Sequence, residues 1–272
     1  MPELPEVEII VGGLQPVLTG RFIEDVFIFY EGSIDGDPIR FQNLIMGKQI
    51  TGVSRRAKLA IIDLEEDMHL VFHLKMTGRL FLPGLGEEPD CHTHLAFFLS
   101  DGQQFWYRDV RKFGYCRLLS TEGLRQWDFY ATLGPEPLEI NSNEFVKLMQ
   151  KRKSRIKSLL LDQKVLAGIG NIYADEALHL AGIHPAACAA DLNEDRLSGL
   201  HQALQKVLRK ALESGGSSFR DYVNALGSKG SYQDQFLAYG RHGQPCDKCG
   251  STLEKDKVAG RTSVFCPCCQ CP

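Results

Sequence analysis

The residues best suited to chemistry stand at the two ends of the chain. Met1-Pro-Glu-Leu-Pro-Glu-Val-Glu8 places Pro2 beside three carboxylates, Glu3, Glu6 and Glu8. Removal of Met1 turns Pro2 into a terminal secondary amine. An α-amino group has a pKa near ~8, against ~10.4 for lysine, so more of it is free base at neutral pH. Attack by a secondary amine on an aldehyde-like carbon gives a cationic iminium, a covalent electron sink on the logic of a lysine Schiff base. Glu3, next along the chain, is placed to carry a proton. The same residues also suit an ordinary helix start, with Pro5 and acidic side chains at its N-terminal end.

The other end is rich in sulfur. Of nine cysteines, six fall in the last 27 residues. An odd count without a secretory signal does not describe a disulfide framework. Cys246-Asp-Lys-Cys249, sixteen intervening residues, and Cys266-Pro-Cys-Cys269 form two pairs of two-residue spacing. Each pair can turn two thiolates toward one centre, and four such sulfurs suit a single tetrahedral Zn²⁺. Cys268 and Cys271 offer an alternative pair, but the outer spacing favours Cys269. The stretch 250–265 is long enough for a hairpin and carries Lys255, Lys257 and Arg261. A lone hairpin arginine is usually solvated; a metal-fixed hairpin makes Arg261 a rigid finger for an anion.

Composition bounds what lies between. At 272 residues, 43% hydrophobic and 24% charged, the chain reads as a soluble protein with room for two moderate domains and a small module. No apolar run approaches the ~20 residues that span a bilayer, and the N-terminus lacks a signal peptide's regions, so a cytoplasmic protein without a membrane partner is expected. A net charge of −3 argues mildly against nucleic acid. Local charge matters more, since a phosphate backbone meets one face. Lys151, Arg152, Lys153, Arg155 and Lys157 put five cations into seven residues.

The elements that must position these groups can be read in outline. Ile9 and Ile10 extend the opening helix, Gly12 and Gly13 each weaken it by ~1 kcal/mol relative to alanine, and Pro16 ends or kinks it. From about Arg21 to Leu119 short β-like runs (22–29, 59–64, 69–73, 95–99 and 105–107) suggest a β-sandwich. Leu133-Gly-Pro-Glu-Pro-Leu138 reads as a linker. Helical spacing follows over 144–151, 157–161, 174–181 and 196–213, with a glycine-bearing turn at 166–173 leading into the third of these. The polar stretch 214–235 reads mostly as a mobile loop.

Taken together, these motifs resemble those of the formamidopyrimidine-DNA glycosylase family, the bacterial 8-oxoguanine DNA glycosylases. The resemblance rests on Pro2-Glu-Leu-Pro-Glu-Val-Glu8, Arg55-Arg-Ala-Lys58, His73-Leu-Lys-Met-Thr-Gly78, Asp109-Val-Arg-Lys-Phe-Gly114, Gly168-Ile-Gly-Asn-Ile-Tyr-Ala-Asp-Glu176 and the terminal cysteines, in order across essentially the whole chain.

The resemblance implies an α+β multidomain fold. Residues 1–132 would form an N-terminal catalytic β-sandwich with an N-terminal helix. Residues 133–235 would hold a linker, a helix-two-turn-helix domain and a lesion-capping loop around 217–232. Residues 236–272 would form a zinc-finger β-hairpin. It further implies a monomer that binds damaged double-stranded DNA, preferably 8-oxoguanine opposite cytosine, and associates with the nucleoid when bound. Such an enzyme excises oxidised purines and then cuts the abasic strand by β,δ-elimination. Carried over, Pro2 would attack the sugar C1′, with Glu3 as proton donor and Glu6 positioning or polarising the sugar. Lys58 would donate the proton in β-elimination, and Arg261 in δ-elimination. Met76, Arg111 and Phe113 would fill the space left by an extruded nucleotide, Phe113 as wedge and Arg111 toward the estranged cytosine. His73, His92, Arg152 and Asn171 would meet the phosphate backbone.

Three departures stand out. Ala57 occupies a position where the family commonly has glycine, Val11-Gly12-Gly13 replaces a more basic stretch, and Cys91 stands where a lysine is common. Two alternatives share part of the pattern: the related endonuclease VIII type, which prefers oxidised pyrimidines, and a non-catalytic damage-binding protein. Leu4, where the first usually has glycine, and Arg111 with Phe113 fit the purine type better, and the trio Pro2, Glu3 and Lys58, which binding alone does not require, argues against the second.

Overall fold

The N-terminal stretch folds into helix α1 (Leu4–Leu18), which buries Val7, Ile10, Val11, Leu14 and Leu18 at three- and four-residue spacing. The computed structural model describes residues 1–218, 224–225 and 227–271. They pack as two compact units: Met1–Thr132 with Ser214–Ser231, and Leu133–Glu213 with Tyr232–Pro272. Contrary to expectation, Pro16 neither ends α1 nor sits at its terminus. It lies on an exposed flank, and Gly12, whose carbonyl the missing N–H would have met, is also open to water. Gly13 has a packing reason, since a Cβ there would stand 3.1 Å from the Ala225 Cβ.

The first unit is a sandwich of two four-stranded antiparallel sheets. Its strands are β1 (Ile23–Ile28), β2 (Ile50–Arg56), β3 (Leu59–Leu64), β4 (Met68–His73), β5 (Gly78–Phe81), β6 (Thr93–Leu99), β7 (Gln104–Asp109) and β8 (Tyr115–Ser120). The sheet orders are β1-β6-β7-β5 and β2-β3-β4-β8. Their shared core includes Val26, Ile62, Leu70, Phe72, Leu95 and Phe105, with the Phe97 and Phe105 rings stacked at 4.2 Å. Helix α1 packs on β2 and β3, which carries the chain's first residues to one edge of the sandwich. The runs read as strands appear within a few residues of their expected limits. Strands β2, β5 and β8, which sequence reading did not mark, are all sheet edges. Helices α2 (Pro38–Ile45), α3 (Thr121–Gln126) and α4 (Asp128–Ala131) complete the unit.

The second unit is built on α5 (Ser142–Met149), α6 (Ile156–Leu161), α7 (Asn171–Ala181) and α8 (Glu194–Glu213). Asn141 and Glu144 form a reciprocal capping box at the start of α5. Helix α7 is buried from Ile172 to His179, whereas α8 buries one stripe, Leu197, Leu200, Leu204, Val207, Leu208 and Ala211. The 133–138 stretch is docked rather than loose: the Gly134 N–H donates to the Gln163 carbonyl at 2.8 Å, and the Ala167 N–H to that of Pro135 at 3.0 Å. The end of the expected loop is also ordered by packing, because Tyr232 is buried with its ring 5.7 Å from that of Tyr173. Residues 219–223 and 226 of the expected lesion-capping loop lie outside the described residues. The hairpin expected between the cysteine pairs is present as β9 (Glu254–Val258) and β10 (Arg261–Phe265). No described helix is long and apolar enough to cross a membrane.

Candidate functional site

Pro2 is buried and Met1 is 43% exposed, so the residue that must leave to free the proline amine is open to solvent. Glu3 and Glu6 are also buried and cap each other: the Glu3 N–H donates to Glu6 Oε2 at 2.9 Å, and the Glu6 N–H to the Glu3 carboxylate. Glu6 Oε1 accepts from the Ser217 N–H at 2.9 Å. Both Glu6 oxygens thus accept backbone N–H groups, which fixes the carboxylate beside the first residues.

Lys58, buried, follows the turn between β2 and β3. Ala57 adopts φ +54° there, a left-handed conformation that glycine takes without strain and alanine does not. The turn is tied to α1 by Arg55, whose Nε donates to Glu8 Oε2 at 2.6 Å while its Nη1 donates to the Ala57 carbonyl at 2.9 Å. His73 pairs across the sheet with Leu59, the residue after Lys58. Burial, then the charges of Lys75 and Lys58, push its pKa down to about 3, so the imidazole is neutral. His73 Nδ1 accepts from the Lys75 N–H at 3.1 Å, leaving Nε2 as the protonated nitrogen.

Met76, Arg111 and Phe113 meet where two loops of the first unit converge. Phe113 is 54% exposed, which removes core packing as its explanation. The Arg111 Nη1 lies 3.1 Å from the Met76 sulfur, and its guanidinium carbon 4.9 Å from the Phe113 ring centroid. His92 is half-buried on the adjoining loop, where its carbonyl accepts from the Asp109 N–H at 3.0 Å.

The remaining sequence candidates stand on the second unit. Lys151, Arg152, Lys153 and Arg155 are exposed, but Lys157 is not part of that patch. It is buried, and its Nζ donates to Asp175 Oδ1 at 2.5 Å, Ser263 Oγ at 2.6 Å and the Thr262 carbonyl at 3.3 Å. A lysine next to four surface cations was misread because the helical turn that hides it begins only at Ile156. Burial raises the Asp175 pKa to about 7 against the opposing pull of Lys157. Asn171 opens α7, and its Nδ2 donates to the Thr262 carbonyl at 2.9 Å, while its buried Oδ1 has no partner among the described residues. The exposed Arg261 opens β10 after a tight turn whose residues, Ala259 and Gly260, have φ +53° and +70°. Arg152 Nε donates to the Leu148 carbonyl at 2.7 Å.

The sulfurs of Cys246, Cys249, Cys266 and Cys269 all lie within 4.8 Å of one another, with Cys246–Cys269 at 4.0 Å and Cys249–Cys266 at 3.4 Å. Tetrahedral zinc at ~2.3 Å from each sulfur requires about 3.8 Å between sulfurs, so this set fits one structural Zn²⁺. Cys268 and Cys271 are exposed and outside the cluster. Sequence reading missed the groups that seat this module. His179, on α7, approaches the Cys246 sulfur at 3.5 Å. The Glu176 carboxylate accepts the N–H groups of Leu237, Ala238 and Tyr239, each at 2.8 Å. Both lie on a helix buried continuously from Ile172 to His179, where a polar side chain is itself the signal.

Comparison with known proteins matches these parts in order. The formamidopyrimidine-DNA glycosylase N-terminal domain matches residues 1–116, the formamidopyrimidine-DNA glycosylase H2TH domain residues 133–223, and a zinc finger found in FPG and IleRS residues 243–270. The chain belongs to the formamidopyrimidine-DNA glycosylase family. The family's Desulfitobacterium hafniense member is 42% identical over 273 residues, covering 99% of this chain and 100% of that one. The Roseiflexus member is 44% identical over 277 residues with the same coverage. Among solved structures, a Lactococcus lactis FPG mutant bound to Fapy-dG-containing DNA has a TM-score of 0.93 at 37% identity, covering 100% of both chains. The Lactococcus lactis protein has also been solved with DNA containing an abasic site, at a TM-score of 0.92 and 37% identity, covering 99% of this chain and 100% of that one.

Proposed function

We propose that this chain is a DNA repair enzyme that removes oxidised purines, 8-oxoguanine and formamidopyrimidines, from double-stranded DNA and then cuts the abasic strand. The observation that carries this reading is the buried Pro2–Glu3–Glu6 corner, joined through the Glu8–Arg55 contact to the turn that holds Lys58. Binding alone needs neither a buried proline and carboxylate pair behind the first residue nor a lysine fixed near their helix.

In this reading the Pro2 nitrogen, freed of Met1, attacks C1′ of an extruded nucleotide. The C1′–N bond breaks, Glu3 supplies the proton, and the opened sugar remains on Pro2 as an iminium. Loss of a C2′ proton expels the 3′ phosphate with Lys58 as proton donor; δ-elimination then expels the 5′ phosphate, with Arg261 in that role. Water hydrolyses the iminium and frees Pro2. Glu6 holds the corner in shape. Phe113 wedges into the stack, Met76 fills beside it, and Arg111 offers its donor fork to the estranged cytosine, which supports a preference for 8-oxoguanine opposite cytosine. His73 through Nε2–H, His92, Arg152 and Asn171 contact the phosphate backbone. The enzyme works as a monomer in the cytoplasm, on the nucleoid, and zinc holds the hairpin that presents Arg261.

Borohydride trapping tests the reading, because it reduces the iminium to a stable amine. We expect a covalent complex with an 8-oxoguanine:cytosine duplex and with a formamidopyrimidine duplex. Tight binding with neither trapping nor strand cleavage would make the protein a damage binder. The Lactococcus lactis protein has been solved with DNA containing an oxidised pyrimidine, so an oxidised-pyrimidine duplex belongs in the series. Trapping there in preference to both purine lesions would place the chain with the pyrimidine-directed type.

A further inference from the structure

We propose that Asp109 is the positioning residue that holds the Met76–Arg111–Phe113 wedge ready before DNA arrives, and so sets the rate of nucleotide extrusion rather than of bond breaking. The inference rests on the wedge role proposed above. Asp109 is fully buried at the end of β7, yet its carboxylate is shared by both loops that carry the wedge. Oδ1 accepts from Thr77 Oγ1 at 2.5 Å, and Thr77 follows Met76. Oδ2 accepts from the Gly114 N–H at 2.7 Å, and Gly114 follows Phe113. The Arg111 N–H lies between the two loops, 3.0 Å from Thr77 Oγ1 and 3.2 Å from Asp109 Oδ1. One carboxylate thereby joins the residue after Met76, the backbone of Arg111 and the residue after Phe113.

The surroundings are built for this bracket. Lys112, between Arg111 and Phe113, holds φ +57°, and Lys75, before Met76, holds φ +49°. Two non-glycine residues in left-handed conformations persist only where neighbours over-determine them. A Cβ at Gly114 would stand 2.2 Å from Tyr107 Oη, 2.9 Å from the His73 carbonyl and 3.1 Å from Asp109 Oδ2, so the loop is drawn tightly onto the sheet end. Meanwhile Val110 and Phe113 remain 44% and 54% exposed. Large apolar side chains held out on a fixed backbone suit insertion between base steps, because the ordering is complete before binding.

The test separates extrusion from chemistry. Asp109→Asn keeps one acceptor oxygen: with it on the Gly114 N–H, the amide Nδ2 turns a donor toward the Arg111 N–H, and with it on the Thr77 side, Gly114 loses its acceptor. Thr77→Val removes one arm and leaves the Asp109–Gly114 contact in place. Single-turnover cleavage is measured on an 8-oxoguanine:cytosine duplex and on a single-stranded abasic oligonucleotide, which needs no extrusion, with thermal melting to verify folding. We expect Asp109→Asn to slow duplex cleavage by about tenfold or more and Thr77→Val by about threefold, the size of one or two lost charge-assisted hydrogen bonds. Both variants should cut the single strand within about twofold of the parent. Equal losses on the two substrates would make Asp109 a general structural residue, and no loss in either folded variant would overturn the proposal. If the parent protein cuts neither substrate, the enzymatic reading has failed and this inference falls with it.

Discussion

Arg55 reaches back from the end of β2 to place its Nε 2.6 Å from Glu8 Oε2, and its Nη1 holds the Ala57 carbonyl at 2.9 Å. One guanidinium thus spans the helix that begins behind Pro2 and the turn that ends at Lys58. Lysine cannot reproduce this, since a compact ammonium lacks the planar fork. Arg55→Lys and Glu8→Gln should each slow strand cleavage at a preformed abasic site by about tenfold, the scale of a partly buried charge-assisted hydrogen bond. A double-mutant cycle should show the losses to be non-additive. Additive losses would mean that the contact is incidental.

The Ala57 turn makes a prediction of the opposite kind. Its left-handed backbone costs about 1–2 kcal/mol for alanine, while glycine returns ~0.4–1 kcal/mol through the freer unfolded chain. Ala57→Gly should therefore raise denaturant stability by about 0–1.6 kcal/mol, with the lyase rate within about twofold. A loss instead would show that the buried Ala57 methyl packs more tightly than its conformation suggests.

The N-terminal amine can be tested by mass. Protein that retains Met1 should bind lesion DNA and give no borohydride-trapped complex, because an amide nitrogen is no nucleophile. A mixed preparation should trap only the fraction lacking Met1. Trapped complex that contains Met1 would assign the covalent step to another amine.

His73 predicts an acid-side loss of stability. Its pKa lies at about 3 in the folded chain, against an ordinary value of 6.5. Between those limits the unfolded chain binds the extra proton, so stability rises with pH. The contribution is complete above the unfolded value and is lost as pH falls toward the folded one, at a slope of at most about 1.4 kcal/mol per pH unit. His73→Gln should flatten the stability curve between those limits. An unchanged slope would mean that other groups carry the acid sensitivity.

Zinc removal should act on the hairpin first. Chelation leaves Cys246, Cys249, Cys266 and Cys269 without a common centre, and the small core of Ala238, Leu253 and Val264 around them is too slight to hold alone. We expect loss of one zinc per chain, measured by elemental analysis, to abolish strand cleavage on duplex DNA. Full activity in zinc-free protein would remove Arg261's support from the mechanism.

The parts legible in the sequence were those with strict local rules. Two-residue cysteine spacing, a proline and acids at a helix start, and short β-branched runs each constrain their neighbours. The parts that were not legible depend on burial. Lys157 reads as one more surface cation until the fold brings Asp175 and Ser263 to its Nζ. Phe113 stands out in the sequence only through the motif around it, and its exposure follows from the loop that carries it. Pro16 reads as a helix breaker because the sequence does not show that Gly12 faces water. Asp109 was visible only as part of a motif; of its three contacts Arg111 and Gly114 are near in sequence, and Thr77 is brought from another loop by the fold.

Glu6 accepts from Ser217, 211 residues further on. Closing so long a span is entropically unfavourable until both partners are ordered, and a chain folds from its N-terminus as it is made. The corner around Pro2 therefore cannot be finished by its own neighbourhood. The corner stays open on one side until residue 217 has been made, and a chain truncated short of Ser217 lacks one wall of it.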